Sequence, residues 1–299
     1  MAKKETTSSE GIAVMKTYKL YIGGAFPRTE SGRFYPVRNS SDKLIANMCL
    51  SSRKDFRNAV VAARKAQGGW AAKSAYNRSQ IIYRIAEMLQ QKKELFVKEM
   101  KDLGYTEKRA HQEFSASVHY LVHYAGWCDK YVQVFSSVNP VASSHFNFSV
   151  PEPTGVVASF ASNTSALLGF LEAFIPAICG GNTAIVLASE DLSTCAISMA
   201  EVIATSDVPG GVVNVLTGNR KELLPHFASH MDVNAFVIWD AASEDSIAIG
   251  QYASDNVKRT KFYNSEAKAS QSPQRIMDLQ EIKTTWHPIE SVSGSGSGY

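Results

Sequence analysis

Gly155-Val-Val-Ala-Ser-Phe160, Pro176-Ala-Ile-Cys-Gly-Gly-Asn-Thr183 and Pro209-Gly-Gly-Val-Val-Asn-Val-Leu-Thr-Gly218 are the stretches on which the fold of this chain turns. The first opens a strand. The second closes a helical stretch at paired glycines before a strand at 183–187. In the third, Gly210 and Gly211 follow a proline, and glycine there supplies the positive φ that a tight helix-to-strand turn needs. Around them, strands at 155–160, 183–187, 212–216 and 235–239 alternate with helices near 165–179, 193–206 and 221–229. That alternation predicts parallel strands joined by crossover helices, a doubly wound α/β sheet.

Upstream, Tyr18-Lys-Leu-Tyr-Ile22 alternates and then turns at Gly23-Gly24, as a short strand or hairpin does, and 43–50 fits another strand. From Ser52 the period changes. Phe56, Val60, Ala63 and Ala66 recur at three or four residues, which predicts an amphipathic helix stopping at Gly68-Gly69. A second helix is expected over 77–102, with Ile82, Ile85, Leu89, Phe96 and Met100 on one face. A third, over 106–135, carries Phe114, Leu121, Ala125, Cys128 and Val132. Between Pro140 and Pro151, His145-Phe-Asn-Phe-Ser-Val150 alternates as a strand with one apolar face. Residues 1–16 and 291–299 read as disordered tails, since a polar run and a Gly/Ser run lack the apolar surface to offset ordering entropy.

With 299 residues and 44% apolar content, the chain can bury a full core. A net charge of +3 is mild, and Lys and Arg are interspersed with Asp and Glu, which argues against a nucleic-acid partner. No stretch approaches the run of about 18 apolar residues that a membrane span needs, and the polar N-terminus lacks a secretory pattern. Cys49, Cys128, Cys179 and Cys195 are widely spaced and form no CxxC, so a reducing compartment, the cytoplasm, is expected.

Seven motifs in order then resemble the aldehyde dehydrogenase superfamily: Tyr21-Ile-Gly-Gly24, 51–70, Tyr124-Ala-Gly-Trp127, Glu152-Pro-Thr-Gly-Val-Val157, Gly180-Gly-Asn-Thr183, 208–218 and Asn256-Val-Lys-Arg259. The resemblance implies a cofactor-binding Rossmann-like domain over 17–137 and 152–270, with oligomerisation β-strands at 138–151 and 281–290. It also shows what has changed. The family's oxyanion-stabilising Asn is matched by Thr164, whose hydroxyl donates one hydrogen bond on a shorter arm, so stabilisation of the kind worth about 2–4 kcal/mol is reduced or lost. The ribose-holding Lys and Glu are matched by Leu187 and Glu190, the pyrophosphate-turn Gly by Asp240 and the general-base Glu by Tyr263. Glu266, three residues on, reads as a solvated loop residue.

Between Ala267 and Ile282-Lys-Thr-Thr-Trp286 only a short linker stands where the family carries its catalytic domain and nucleophilic Cys. The pattern is most similar to the incomplete C-terminal domain of family 16 aldehyde dehydrogenases, here free-standing. It implies a pseudoenzyme with no catalytic residues and no metal. Glu190 and Ser189 are its vestigial cofactor contacts, and no cofactor is expected. Assembly with itself or with a catalytic aldehyde dehydrogenase is expected through a flap bearing Phe146 and Phe148 and a strand bearing Ile282 and Trp286. The alternative is an NAD- or NADP-dependent subunit that contributes a cofactor cleft and needs a partner's catalytic Cys; a dinucleotide sensor without chemistry is a third reading. Each cysteine reads as a small buried apolar residue, and the His119/His123 and His226/His230 pairs as structural or surface groups lacking a third metal ligand.

Overall fold

The computed structural model describes residues 16–265 and 271–289. The expected tails, apart from Lys16, and the residues Glu266 and Ala267 lie outside the described residues. Lys16 itself pairs with Glu201 at 3.0 Å.

The elements run β1 (Phe34–Arg38), β2 (Leu44–Cys49), α1 (Arg53–Ala71), α2 (Ala75–Gln91), α3 (Lys93–Asp102), α4 (Glu107–Ala125) and α5 (Tyr131–Phe135). Then come β3 (Ser137–Asn139), β4 (His145–Pro153), β5 (Val156–Phe160), α6 (Leu168–Glu172), α7 (Ile175–Cys179), β6 (Thr183–Leu187), α8 (Ser193–Ala204) and β7 (Val213–Leu216). The last are α9 (Arg220–Ser229), β8 (Ala235–Trp239), α10 (Ser243–Ser254), β9 (Arg259–Tyr263), α11 (Gln274–Met277) and β10 (Gln280–Pro288).

A five-stranded parallel sheet, ordered β7-β6-β5-β8-β9, carries helices on both faces. The residues of each strand divide between two cores because successive side chains point to opposite faces. Val157, Ala184, Val186, Val213, Val215, Ala235 and Val237 pack with α2, α4, α7 and α8. Val156, Ala158, Phe160, Ile185, Leu187, Leu216, Phe236 and Ile238 pack with α1, α9 and Ile249 of α10. This is the doubly wound arrangement expected, and it explains why the strands read as continuous apolar runs.

Several boundaries moved for local reasons. Residues 18–22 form no full strand but the expected hairpin turns at Gly23-Gly24, where Ile22 bridges Ala25 and Leu20 N donates to Pro27 O at 3.0 Å, while Tyr21 bridges Val215 at the edge of β7. Gly68 and Gly69 lie inside α1 because Trp70 beyond them is buried and donates from Nε1 to Ile178 O at 3.0 Å. That contact outweighs two glycines worth about 1 kcal/mol each against alanine. Ser52 and Asp55 close a capping box at the start of α1, worth about 1 kcal/mol. The helix expected over 77–102 breaks at Lys92, so α2 and α3 both pack on α4, and the one over 106–135 breaks after Gly126. Of the two glycines after Pro209, only Gly211 is left-handed, with φ +93°; Gly210 is needed because a Cβ would stand 2.6 Å from Gly23 O. Asn182 accounts for the Gly-Gly-Asn-Thr motif. Its Oδ1 accepts from Gly155 N at 2.8 Å and its Nδ2 donates to Leu279 O at 3.0 Å, tying the start of β5 to the approach of β10.

Candidate functional site

From β5 the chain winds outward through β6 to β7, then returns to β8 on the other side of β5. Ligands of open α/β sheets bind in the crevice beyond the strand ends at such a switch point. Here that crevice is framed by residues 161–167 after β5, Asp240 after β8, Ser265 after β9 and Arg220 at the start of α9.

Asp240 sits in the left-handed region, φ +52°, where Gly is free and Asp is tolerated. Its Oδ2 accepts from Ser162 Oγ at 2.8 Å and Ser265 Oγ at 2.7 Å, and its Oδ1 accepts from Ser265 N at 2.7 Å. Ser162 is buried; its Oγ lies 2.5 Å from Ser265 Oγ and 2.9 Å from Thr164 Oγ1. Arg220 fills the space beside them, donating from Nη2 to Trp239 O at 2.6 Å and Ala161 O at 3.3 Å. Burial opposes the charged form of Asp240, but hydrogen bonds from the Ser265 backbone and hydroxyl, Ser162 and the Asn163 backbone outweigh it and hold the carboxyl below its usual 3.8.

A group whose folded pKa is depressed adds stability that is present above its unfolded value and is lost as pH falls through the folded one. Asp240→Asn is therefore expected to flatten the acid limb of stability below about pH 4. Urea midpoints of both proteins between pH 3 and pH 7 check this; parallel curves contradict it.

The loop after β5 is also anchored from α4. Glu113 Oε1 accepts from Leu167 N at 2.7 Å, Ser165 Oγ at 2.9 Å and Leu168 N at 3.3 Å, at the first turn of α6. Arg109 Nη2 donates to Thr164 O at 2.9 Å and its guanidinium lies 3.9 Å over the Tyr105 ring. Thr164, expected where the oxyanion donor belongs, thus has its carbonyl held by Arg109 and its hydroxyl beside Ser162.

Glu190 and Ser189 follow β6, one strand from the switch point. The Glu190 carboxylate accepts from Asn219 Nδ2 at 3.2 Å, and Asn219 caps α9. Ser189 is buried, and Leu187 is a core residue against α1 and α9. Tyr263 lies between Trp239, 5.2 Å away, and the Arg275 guanidinium, 4.0 Å away, and donates to Asp278 Oδ2 at 2.6 Å. Burial and the Asp278 bond push its phenol far up, so it is no base. Among the described residues between β9 and β10, α11 packs on α7.

All four cysteines are free and buried. Cys128 and Cys179 stand 3.3 Å apart between α4 and α7, and burial first, then Cys128, pushes the Cys179 thiol up. Burial does the same to Cys195. Among the described residues no group of three or more His, Cys, Asp or Glu is placed to hold a metal.

A separate antiparallel sheet, β10-β4-β3, projects from the body. Its register pairs Phe148 with Thr285, Asn147 with Trp286 and Val138 with Phe148. Paired residues share a face, so Phe146 and Phe148 lie with Val138 on one face and Ile282 and Trp286 lie on the other. The four residues expected to act together therefore form two surfaces. On the first, Val138 is 68% and Phe146 45% exposed; on the second, Ile282 is 55% and Trp286 57% exposed beside a ladder of Asn139, Asn147, Ser149 and Thr284.

The architecture is that of an open, dinucleotide-binding type of α/β domain. Residues 26–262 match the model of the aldehyde dehydrogenase family, and the chain belongs to that family. It is 26% identical over 256 residues to an aldehyde dehydrogenase of Aspergillus niger, covering 85% of this chain and 51% of the relative. To the putative aldehyde dehydrogenase DhaS of Bacillus subtilis it is 28% identical over 248 residues, 81% of this chain and 49% of the relative. Among solved structures, the NAD+ complex of an aldehyde dehydrogenase from Bacillus cereus superposes with a TM-score of 0.78 at 23% identity, over 84% of this chain and 51% of that one. The chain spans about half the length of the relatives it matches.

Sequence reasoning located Thr164, Asp240 and Tyr263 but missed Ser162, Ser265, Arg220, Glu113 and Arg109. The polar run after Phe160 was a signal for Ser162; nothing in the local pattern marks Arg220 or Glu113, which arrive from distant helices.

Proposed function

We propose that the chain is an aldehyde dehydrogenase-like pseudoenzyme, a structural or regulatory subunit that assembles through β-strands with a second copy or with an active aldehyde dehydrogenase, in the cytoplasm. The observation that carries this reading is the crevice at the switch point, closed by Asp240, Ser162 and Ser265. A diphosphate brought there meets the carboxylate of Asp240 and those of Glu244 and Asp245 in the first turn of α10. Like charges oppose it where such sites favour anions. Arg220, beside Asp240, is committed to two carbonyls. These residues do not fit the dinucleotide of the family's enzymes. Thr164 offers a single donor on a shorter arm in place of the family's oxyanion Asn, and Tyr263 stands where its general-base Glu belongs.

Assembly is supported by the projecting sheet. Val138 and Phe146 are more exposed than an isolated domain needs, and β10 presents an unpaired edge. The second reading, a cofactor-contributing subunit served by a partner's Cys, is favoured by one feature. α10 is preceded by Ala242, which offers no side-chain cap to its first N–H groups, where an anion could bind. Among the described residues no helix is long and apolar enough to cross a membrane.

Native mass measurement of the protein purified from its source, with identification of co-purifying chains, tests the assembly. A multimer of this chain or a complex with a dehydrogenase is expected, weakened by Phe146→Asp or Trp286→Asp. A monomer in both the parent and the variants contradicts it.

A further inference from the structure

On the face of the sheet covered by α1 and α9, a groove of about 320 Å³ opens between the two helices. Arg53 and Arg57 stand one turn apart on α1; His226 in the last turn of α9 and His230, the extended residue that ends the helix, line the groove with them. The floor is Phe56, stacked on Phe227 with ring centroids 3.9 Å apart and meeting His230 edge-on at 5.7 Å. Met231, 67% exposed, forms an apolar wall.

The positive charge of this groove is not neutralised by its neighbours. Arg53 and Arg57 have no hydrogen-bond or ion-pair partner among the described residues. The carboxylates within reach are committed elsewhere. Glu222 is held by Arg33 at 2.6 Å, Asp55 is buried on Thr29 and Ser52, and Asp232 lies 4.0 Å from Arg64. The last turn of α9 would ordinarily oppose an anion through its free carbonyls. Here a cation stands at that end: Lys258 Nζ donates to Phe227 O in the last turn at 3.3 Å and to His230 O just beyond it at 2.8 Å, and Asn256 Nδ2 donates to Met231 O at 3.3 Å.

The histidines register the same environment. Burial, then Arg53, lowers His226 below 6.5 against the pull of Glu222. Burial lowers His230, with Asp232 opposing and Lys258, Arg53 and Arg64 adding to the effect. His230 Nδ1 accepts from Asp232 N at 3.2 Å, which leaves Nε2 as the donor of the neutral ring.

We propose that this groove is a binding site for a small phosphate monoester, with the phosphate dianion between Arg53 and Arg57 and the His226/His230 pair, and the carbon portion against Phe56 and Met231. Two guanidinium forks one helical turn apart suit a tetrahedral dianion better than a single carboxylate. The volume suits a small ligand, at the lower end of small-molecule pockets. The chain's mild net charge gives no extended track for a nucleic acid. The site lies on the helices over one face of the sheet, apart from the switch-point crevice, and does not depend on the assembly reading.

The test is an NMR titration of the full chain at pH 7, following the ring signals of His226 and His230 with His119 as internal control. Phenyl phosphate and inorganic phosphate are added at an ionic strength held constant with chloride. Both ring signals should move toward their protonated positions and saturate, and phenyl phosphate should saturate at a concentration about threefold or more below that of phosphate. Arg53→Gln/Arg57→Gln, which alters only exposed side chains, should abolish the response while circular dichroism stays unchanged; Arg57→Gln alone should weaken it. Shifts that are linear in concentration, equal with chloride or unchanged in the double variant overturn the proposal.

Discussion

Gly211→Ala is expected to destabilise the protein by about 3–4 kcal/mol, measured as a lowered urea midpoint at constant slope. Two costs combine at this residue. Its φ of +93° is a conformation that L side chains rarely adopt, and a Cβ built there stands 2.6 Å from Ala62 O in the backbone of α1. Relief requires lifting α1 from the start of β7, which disturbs a packed core instead of a flexible side chain. Gly68→Ala is the control. Gly68 lies in α1 with nothing within 4 Å of its Cβ position, so the change should stabilise by about 0.5–1 kcal/mol. Equal effects at the two sites would refute the close-approach account of the 209–218 turn.

Phe227→Ala should cost about 3–5 kcal/mol, the range for emptying a buried phenylalanine site. Phe227 is fully buried, stacked on Phe56 at 3.9 Å and packed against Phe160 at 4.9 Å and Phe236 at 5.9 Å. It therefore joins α9 to both α1 and two central strands, and no neighbour can collapse into the cavity without leaving one of them. Urea unfolding again provides the measurement. A loss below about 1 kcal/mol would mean that this core repacks freely.

How far the sequence carried depended on whether the signal was local. The parallel strands were readable because both their faces are buried, so Thr183–Leu187 and Ala235–Trp239 emerge as unbroken apolar runs between turn residues. Helix ends were less readable, since Trp70 holds α1 through two glycines by a contact with residue 178, far along the chain. The flap illustrates the same limit. Alternation showed that Phe146 and Phe148 share a face, whereas their relation to Ile282 and Trp286 is fixed by the register of β4 against β10, which no single segment encodes.

At the site, comparison with family motifs located the replaced positions Thr164, Asp240 and Tyr263. It could not show that Asp240, once placed where glycine stood, recruits Ser162 and Ser265 around its carboxylate, because these three residues come from the ends of three different strands. Nor could it show Glu113 reaching from α4 to the first turn of α6. Tyr263 was read as a lost base. In the fold it is also a packing residue, layered between Trp239 and Arg275.

The most direct test of the closed crevice is thermal unfolding of the protein in the presence of millimolar NAD+, NADH, NADP+ or NADPH. A dinucleotide present at a hundred times its dissociation constant adds about 2.7 kcal/mol to stability, enough to raise Tm by several degrees in a protein of this size. With Asp240, Ser162 and Ser265 occupying the turn, Tm should stay unchanged with all four; a saturable, concentration-dependent rise with any of them would contradict the account.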